Sequence, residues 1–231
     1  MLDMFFKPFL LVARATLLAL SLATSASAAN ISYPGVTLQH GSGQNPSLLV
    51  LVGGAYDTGI SGITNGHRAL VRIAESVERI KRYDSVTVLY MSWDQGDEMQ
   101  VAINKHKKEY PSSKTVLVGH SWGGDTVIRS GSVQENSIDL AVTLDAVTTL
   151  PRLGHLERGS ISRWVNVYGH ASIWGVFGKW GSEPRASQNY RVDVGHQDTI
   201  QMYTAVDTLE ILPVLVGAKP VARVKPKKSD D

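Results

Sequence analysis

The sequence predicts an α/β protein with a mostly parallel central sheet, helices on both faces and a small cap or none. Several segments, such as residues 47–52 and 115–118, are apolar without alternation, as strands buried on both faces are. They alternate along the chain with amphipathic helical segments, the pattern that right-handed crossovers between parallel strands produce. The chain has 231 residues, 43% hydrophobic and 19% charged, which is enough for one domain with a sizeable core.

The elements follow one another in a regular order. Strands are predicted at residues 35–38, 47–52, 85–91, 115–118, 138–144, 164–168 and 190–194. Helices are predicted at residues 67–82, 95–110 and 200–212 and directly after Ser121. Pro111 ends the second of these helices, because a proline cannot continue the backbone hydrogen bonding.

The first 28 residues have the features of a secretory signal peptide. Lys7 and Arg14 precede an apolar run at 15–23, and small residues then offer a cleavage site after Ala28. The apolar run is shorter than the ~20 residues that span a bilayer. We therefore expect export to the periplasm or the medium, with a folded domain at 29–213.

Composition and charge argue against several classes of function. The net charge is +2, and much of the basic excess lies in the tail 214–231, which we expect to be disordered. Nucleic acid binding is therefore not indicated. The absence of cysteine excludes cysteine catalysis and thiolate metal sites. No metal-binding His-Glu-x-x-His run or phosphate-binding glycine loop is present, so we expect neither a metal nor a cofactor.

The strongest motif is Gly119-His120-Ser121-Trp122-Gly123, which lies between an apolar strand and a helix-compatible run. A serine on a strand-to-helix turn this tight leaves no room for side chains two residues away, so both glycines are needed. The turn would present the Ser121 hydroxyl at its tip, above the N-terminus of the next helix. Backbone N–H groups at that N-terminus can receive an oxyanion.

From this motif the chain resembles the α/β-hydrolase superfamily, and Gly-His-Ser-Trp-Gly-Gly is most similar to its lipase and esterase branches. The resemblance spans about residues 48–212 and implies a serine nucleophile followed in sequence by an acid and a histidine. It also implies two oxyanion-hole donors, the backbone N–H groups of Ala55 and Trp122. The family commonly has His-Gly in the first of these loops, whereas this chain has Gly53-Gly54, so the donor in that loop could differ by one residue.

Seven histidines and several carboxylates compete for the other two roles. Only His196 follows the last predicted strand, where the superfamily has its histidine, so it is the expected base. Asp145 follows the strand after the serine helix, at the sheet edge where such sites lie. The superfamily more often takes its acid from one strand later, but that strand ends here in Tyr168-Gly169-His170 without a carboxylate, and some lipase-like members use the earlier position. The alternatives are weaker because Asp94 precedes the serine, Asp193 is predicted inside a strand and Asp198 is too close to His196.

The substrate site is the least determined feature. Eighteen residues separate Asp145 from Trp164, too few for a large helical cap. The long connection 169–189 carries Trp174 and Phe177, which together with Tyr56 we expect to form an apolar substrate-binding wall. Packing of these aromatic rings into the core is the alternative.

Together these features predict an exported serine hydrolase that cleaves ester or thioester bonds of small acyl or lipid-like substrates through a Ser-His-Asp triad. Transient contact with a lipid surface would suit such substrates. The alternative is a hydrolase-fold protein that binds a ligand without turnover, motivated by the altered Gly53-Gly54 loop. The sequence indicates no particular oligomeric state.

Overall fold

The structure is a computed structural model that describes residues 31–54, 85–148, 159–169 and 181–218. The predicted signal peptide, the predicted helix at 67–82 and residues 219–231 of the predicted tail lie outside these ranges. Four candidate site residues also lie outside them: Ala55, Tyr56, Trp174 and Phe177. The candidates within them are Ser121, Trp122, Asp145 and His196.

The described residues form one seven-stranded sheet with the order β1-β3-β2-β4-β5-β6-β7. The strands are β1 (Val36–Gln39), β2 (Ser47–Gly53), β3 (Val86–Ser92), β4 (Thr115–His120), β5 (Leu140–Leu144), β6 (Trp164–Tyr168) and β7 (Gln188–Arg191). β1 pairs with β3 in antiparallel orientation, and all other neighbouring strands are parallel. The predicted mostly parallel sheet is confirmed.

Helices cover both faces of this sheet. They are α1 (Gly96–Glu109), α2 (Trp122–Ser132) and α3 (Thr199–Val206), and α3 continues through a π-helical turn (Asp207–Ile211) into α4 (Leu212–Leu215). None of the helices within the described ranges is both long enough and apolar enough to cross a membrane.

The strands are apolar throughout because each face of the sheet has its own core. Leu48 and Val50 of β2 lie in a cluster with side chains of α1 and α2. The alternating residues Leu49 and Leu51 lie in a second cluster with side chains of α3. Successive side chains of a strand point to opposite faces, so a continuous apolar run is what a sheet between two helix layers requires.

The last strand differs from the prediction. It spans Gln188–Arg191 rather than 190–194, so Asp193 lies beyond the strand and not inside it. The shift has a polar cause: Asn189 pairs with Asn166 of β6, and its side-chain oxygen accepts hydrogen bonds from the Asn166 side chain and the Glu183 N–H. A search for apolar patterns does not find a strand whose pairing depends on hydrogen bonds between amide side chains.

Buried helical structure is also present just after residue 213, where the hydrolase domain is predicted to end. Leu215, in α4, is buried, and its carbonyl oxygen accepts a hydrogen bond from the Ser47 hydroxyl at 2.7 Å. Ser47 is the first residue of β2, so this contact fixes the end of the helix to the middle of the sheet. The apolar side chains of Val214 and Leu215 therefore still pack against the core, and the domain boundary at residue 213 stays a prediction.

Candidate active site

Ser121 lies in the sharp turn between β4 and α2. Its φ of 54° and ψ of −123° are a conformation that non-glycine residues rarely adopt. Its N–H donates to the Leu144 carbonyl oxygen at 3.1 Å, and its own carbonyl oxygen accepts from the N–H groups of Gly124 and Val147 at 3.0 Å. These bonds to β5, to the loop after it and to α2 hold the strained turn in place.

The glycines on either side of Ser121 are required by close contacts. A Cβ on Gly119 would collide with the carbonyl oxygen of Gly123, and one on Gly123 would collide with that of Val52 in β2. Gly54 is restricted as well, though less tightly, since a Cβ there would lie 2.9 Å from the Ser121 Cβ. The segment that follows β2 therefore starts next to the side chain of Ser121.

Asp145 follows β5 at the neighbouring position of the sheet edge. The pairing of His120 with Leu144 brings the residue after each strand to adjacent positions. Asp145 is fully buried and has a φ of 45°. Both of its oxygens accept hydrogen bonds: Oδ1 from the Gly169 N–H at 3.0 Å and Oδ2 from His196 Nδ1 at 2.7 Å.

His196 lies in the loop between β7 and α3. A local turn shapes this loop, because the Asp198 N–H donates to the Gly195 carbonyl oxygen and the Asp198 side chain accepts from the Gly195 N–H. The ring is largely buried, and its Nε2 lies 3.1 Å from Ser121 Oγ. Since the carboxylate of Asp145 can only accept, His196 Nδ1 carries the proton and Nε2 accepts from the Ser121 hydroxyl.

The structure thus brings Ser121, His196 and Asp145 into one continuous line of hydrogen bonds. The three come from the ends of two neighbouring strands and from one loop, all at the carboxyl edge of the parallel sheet. Such an arrangement can move a proton from the hydroxyl to the imidazole and stabilise the resulting positive charge.

Trp122 is the first residue of α2, so its N–H belongs to the first helical turn, where N–H groups lack carbonyl acceptors within the helix. Its half-buried ring makes an edge contact with Trp93, with ring centroids 4.9 Å apart. Trp93 directly follows β3, and its carbonyl oxygen accepts a hydrogen bond from the Thr126 hydroxyl of α2. The sequence analysis did not identify Trp93, although its position directly after a buried strand was a usable signal.

The sequence analysis also missed two contacts around the histidine. His120, excluded as a base, is buried, and its Nε2 lies 2.9 Å from the main-chain oxygen of His196. The backbone N–H of Gly169 binds the carboxylate of Asp145, and a Cβ on Gly169 would collide with the carbonyl oxygen of Val194. A histidine at the end of a fully buried strand was a signal for the first contact, whereas a main-chain donor gives no sequence signal.

Among the described residues, no three His, Asp or Glu side chains lie close enough together to hold a metal ion. The chemistry supported by the described side chains is proton transfer and nucleophilic attack at Ser121.

Comparison with known proteins gives independent support for the fold. No protein-family model matches the sequence, and no curated protein matches it. Among solved structures, esterase PE8 superposes with a TM-score of 0.54 at 15% identity, over 76% of this chain and 97% of that chain.

Two further solved structures are similar with lower scores. The esterase domain of a Rhodothermus marinus protein has a TM-score of 0.48 at 11% identity, over 74% of this chain and 87% of that chain. XC6422 from Xanthomonas campestris, described as an α/β serine hydrolase without lid, has a TM-score of 0.42 at 14% identity, over 72% of this chain and 85% of that chain. Taken with the sheet order, the similarity to esterase PE8 shows that the chain has the α/β-hydrolase fold.

Proposed function

We propose that the chain is a serine hydrolase that cleaves ester or thioester bonds of small acyl or lipid-like substrates. The observation that supports this most is the line of hydrogen bonds from Ser121 Oγ to His196 at 3.1 Å and from His196 to Asp145 at 2.7 Å. A serine hydroxyl is a poor nucleophile at neutral pH, and a base held by a carboxylate is what activates it.

In the first half of the reaction Ser121 Oγ attacks the carbonyl carbon while its proton moves to His196 Nε2. Asp145 keeps the imidazole oriented through Nδ1–H and stabilises the imidazolium that forms. The carbonyl oxygen becomes an oxyanion, which the N–H groups of Trp122 and Ala55 bind in this proposal.

The intermediate then collapses to an acyl-enzyme. The carbon–oxygen or carbon–sulfur bond to the leaving group breaks, and His196 Nε2 returns its proton to the departing alcohol or thiol. In the second half, water gives a proton to His196 and attacks the acyl carbon. Ser121 leaves with that proton, the free acid is released, and no cofactor or metal is needed.

For the substrate, we assign the acyl-binding wall to Tyr56, Trp174 and Phe177, which lie outside the described residues. An apolar wall of this kind favours short to medium acyl chains over charged substrates, at about 0.8 kcal/mol for each buried methylene. Transient contact with a lipid surface fits the same chemistry.

We also propose that residues 1–28 direct export and are then removed, which leaves the hydrolase domain in the periplasm or the medium. The charged and small-residue pattern described above supports this step.

The experiment that tests the proposed function is the Ser121→Ala substitution in the mature protein. Loss of the nucleophile should lower kcat/KM on p-nitrophenyl esters by about 10⁶-fold. A fluorophosphonate probe should label the wild type and not the variant. Ser132→Ala, at the last residue of the helix that follows Ser121, is the matched control and should label normally.

Labelling of Ser121→Ala would rule out Ser121 as the nucleophile. If the wild type neither reacts with the probe nor cleaves any of a broad panel of esters, the non-catalytic binding protein becomes the better interpretation.

A further inference from the structure

His120 makes a contact that the proposed reaction does not use. It is the last residue of β4, it is only 5% exposed, and its Nε2 lies 2.9 Å from the main-chain oxygen of His196. The two rings also pack together, with centroids 4.9 Å apart. Because a carbonyl oxygen can only accept, His120 Nε2 carries the proton and donates it.

The carbonyl that His120 binds belongs to the residue whose ring must lie between a carboxylate and a hydroxyl. The ring atoms of His196 lie several bonds from its main chain, so a small shift of the backbone becomes a larger shift at Nε2. A displacement of about 1 Å at a reacting atom is enough to lower a rate by about 10²-fold.

His120 is also a rigid point of attachment. β4 is paired with β2 on one side and with β5 on the other, and His120 itself pairs with Leu144. One peptide bond joins His120 to Ser121, so any motion of this part of the strand carries both residues. The hydrogen bond from His120 to the His196 carbonyl oxygen therefore couples the backbone of His196 to the backbone of Ser121.

We propose that His120 is a positioning residue, which fixes the distance between His196 Nε2 and Ser121 Oγ by holding the main chain of His196. In this role His120 acts through His196 and takes no part in the transfer of the proton between Ser121 and His196. The kinetic part of this inference rests on the proposed function, whereas the structural part concerns only the orientation of the His196 ring.

The test compares three variants of the mature protein. His120→Leu removes the donor and keeps an apolar side chain, and His120→Gln keeps an N–H donor at the reach of Nε2. His106→Leu is the matched control, because His106 is also fully buried and donates from Nε2 to a carbonyl oxygen, that of Pro46 at 2.8 Å, but lies on α1.

We expect His120→Leu to lower kcat on p-nitrophenyl esters by about 10- to 100-fold with little change in KM, because ground-state binding is not affected. His120→Gln should recover most of that kcat. His106→Leu should lower the melting temperature and leave kcat at the wild-type value while the protein is folded. Wild-type kcat in His120→Leu, or a kcat in His120→Gln as low as in His120→Leu, would overturn the proposal.

A second measurement does not depend on turnover. The proton between His196 Nδ1 and Asp145 Oδ2 should give a low-field imidazole resonance in the proton NMR spectrum. This resonance should shift or broaden in His120→Leu and stay in place in His120→Gln and His106→Leu. If the resonance responds in this way but no ester is cleaved, the proposed function fails and the positioning role stands.

A resonance that is unchanged in His120→Leu would overturn the positioning role even in an active enzyme. If circular dichroism shows that His120→Leu is unfolded, His120→Asn replaces it in both measurements. Its amide is too short to reach the carbonyl oxygen of His196, so the same loss of kcat and the same change in the resonance are expected, and wild-type values would overturn the proposal.

Discussion

His106 and His196 are both buried, and each ring has a hydrogen-bond partner at both nitrogens. His106, on α1, accepts from the Tyr33 hydroxyl at 2.6 Å and donates to the Pro46 carbonyl oxygen at 2.8 Å. His196 has the carboxylate of Asp145 at 2.7 Å and the hydroxyl of Ser121 at 3.1 Å. The two sites differ by one charged partner.

That difference separates a structural histidine from a candidate base. Burial lowers the pKa of His106 to about 4, and burial also raises the pKa of Tyr33 to about 12, so this pair stays neutral at ordinary pH. Among the described residues, no carboxylate hydrogen-bonds to His106, whereas His196 Nδ1 donates to the carboxylate of Asp145. Burial alone keeps a histidine neutral, as at His106, whereas a base in a buried site needs a carboxylate beside it.

Among the changes that test this comparison of the two histidines, the largest effect is expected from removing the charge of Asp145. Asp145→Asn should lower kcat by up to about 10⁴-fold, because the amide favours the wrong tautomer of His196. The fold should persist, since asparagine tolerates the positive φ of 45° at this position about as well as aspartate does. The measurement is kcat on p-nitrophenyl esters, with Asp94→Asn as the control at an exposed carboxylate.

Full activity in Asp145→Asn together with loss of activity in Asp94→Asn would move the acid to the end of β3. The hydrogen bond to Asp145 would then not be what makes His196, and not His106, a base.

An intermediate effect is expected from the acid titration of His106. Its folded-state pKa of about 4 lies below the ordinary value of 6.5, so the unfolded chain binds this proton first as the pH falls. Stability should therefore decrease from about pH 6.5 to about pH 4, by at most about 3 kcal/mol from this group, and show no further decrease from it below that range.

His106→Gln removes the titration and keeps a donor for the Pro46 carbonyl oxygen. The difference in unfolding free energy between wild type and variant should shrink as the pH is lowered through this window, measured by urea denaturation at several pH values. A difference that is constant with pH would mean that His106 takes up its proton as easily in the folded protein as in the unfolded chain.

The smallest effect is expected from Tyr33→Phe. Loss of the hydroxyl leaves His106 Nδ1 without this donor, which should cost about 1 kcal/mol in unfolding free energy and leave kcat unchanged. Urea denaturation at pH 7 measures it. Tyr110→Phe is the control, because the ring of Tyr110 packs on His106 with centroids 5.0 Å apart and that contact does not need the hydroxyl.

Equal destabilisation by Tyr33→Phe and Tyr110→Phe would show that the hydroxyl of Tyr33 contributes nothing specific. A loss of kcat in Tyr33→Phe would show that the two histidine sites are not independent.

The sequence predicted those features that depend on local pattern. The predicted strand at 164–168 became β6 with the same bounds. Ser121, directly after β4, was proposed from the glycine-serine motif, and Asp145, directly after β5, from its place at a strand end. The end of a buried strand indicated that His120 needs a polar partner, but that partner, His196, lies 76 residues away, so no local pattern identifies it. The start of β7 was missed for the same reason, since amide side chains from another strand determine it.

The π-helical turn at Asp207–Ile211 interrupts what the sequence predicted as one continuous helix. The buried residues Val206 and Ile211 are five positions apart, one more than the usual spacing on one face of an α-helix. In a regular helix that extra residue would rotate everything after it by about 100° and move Leu215 out of the core. The π-helical turn accommodates the extra residue locally. Deleting exposed Thr208 should therefore convert the turn to a regular α-helix, with the buried faces of α3 and α4 still on the same side. Deleting one residue in α3 would instead put the two halves of the helix out of phase, and Leu215 would lose its hydrogen bond with Ser47.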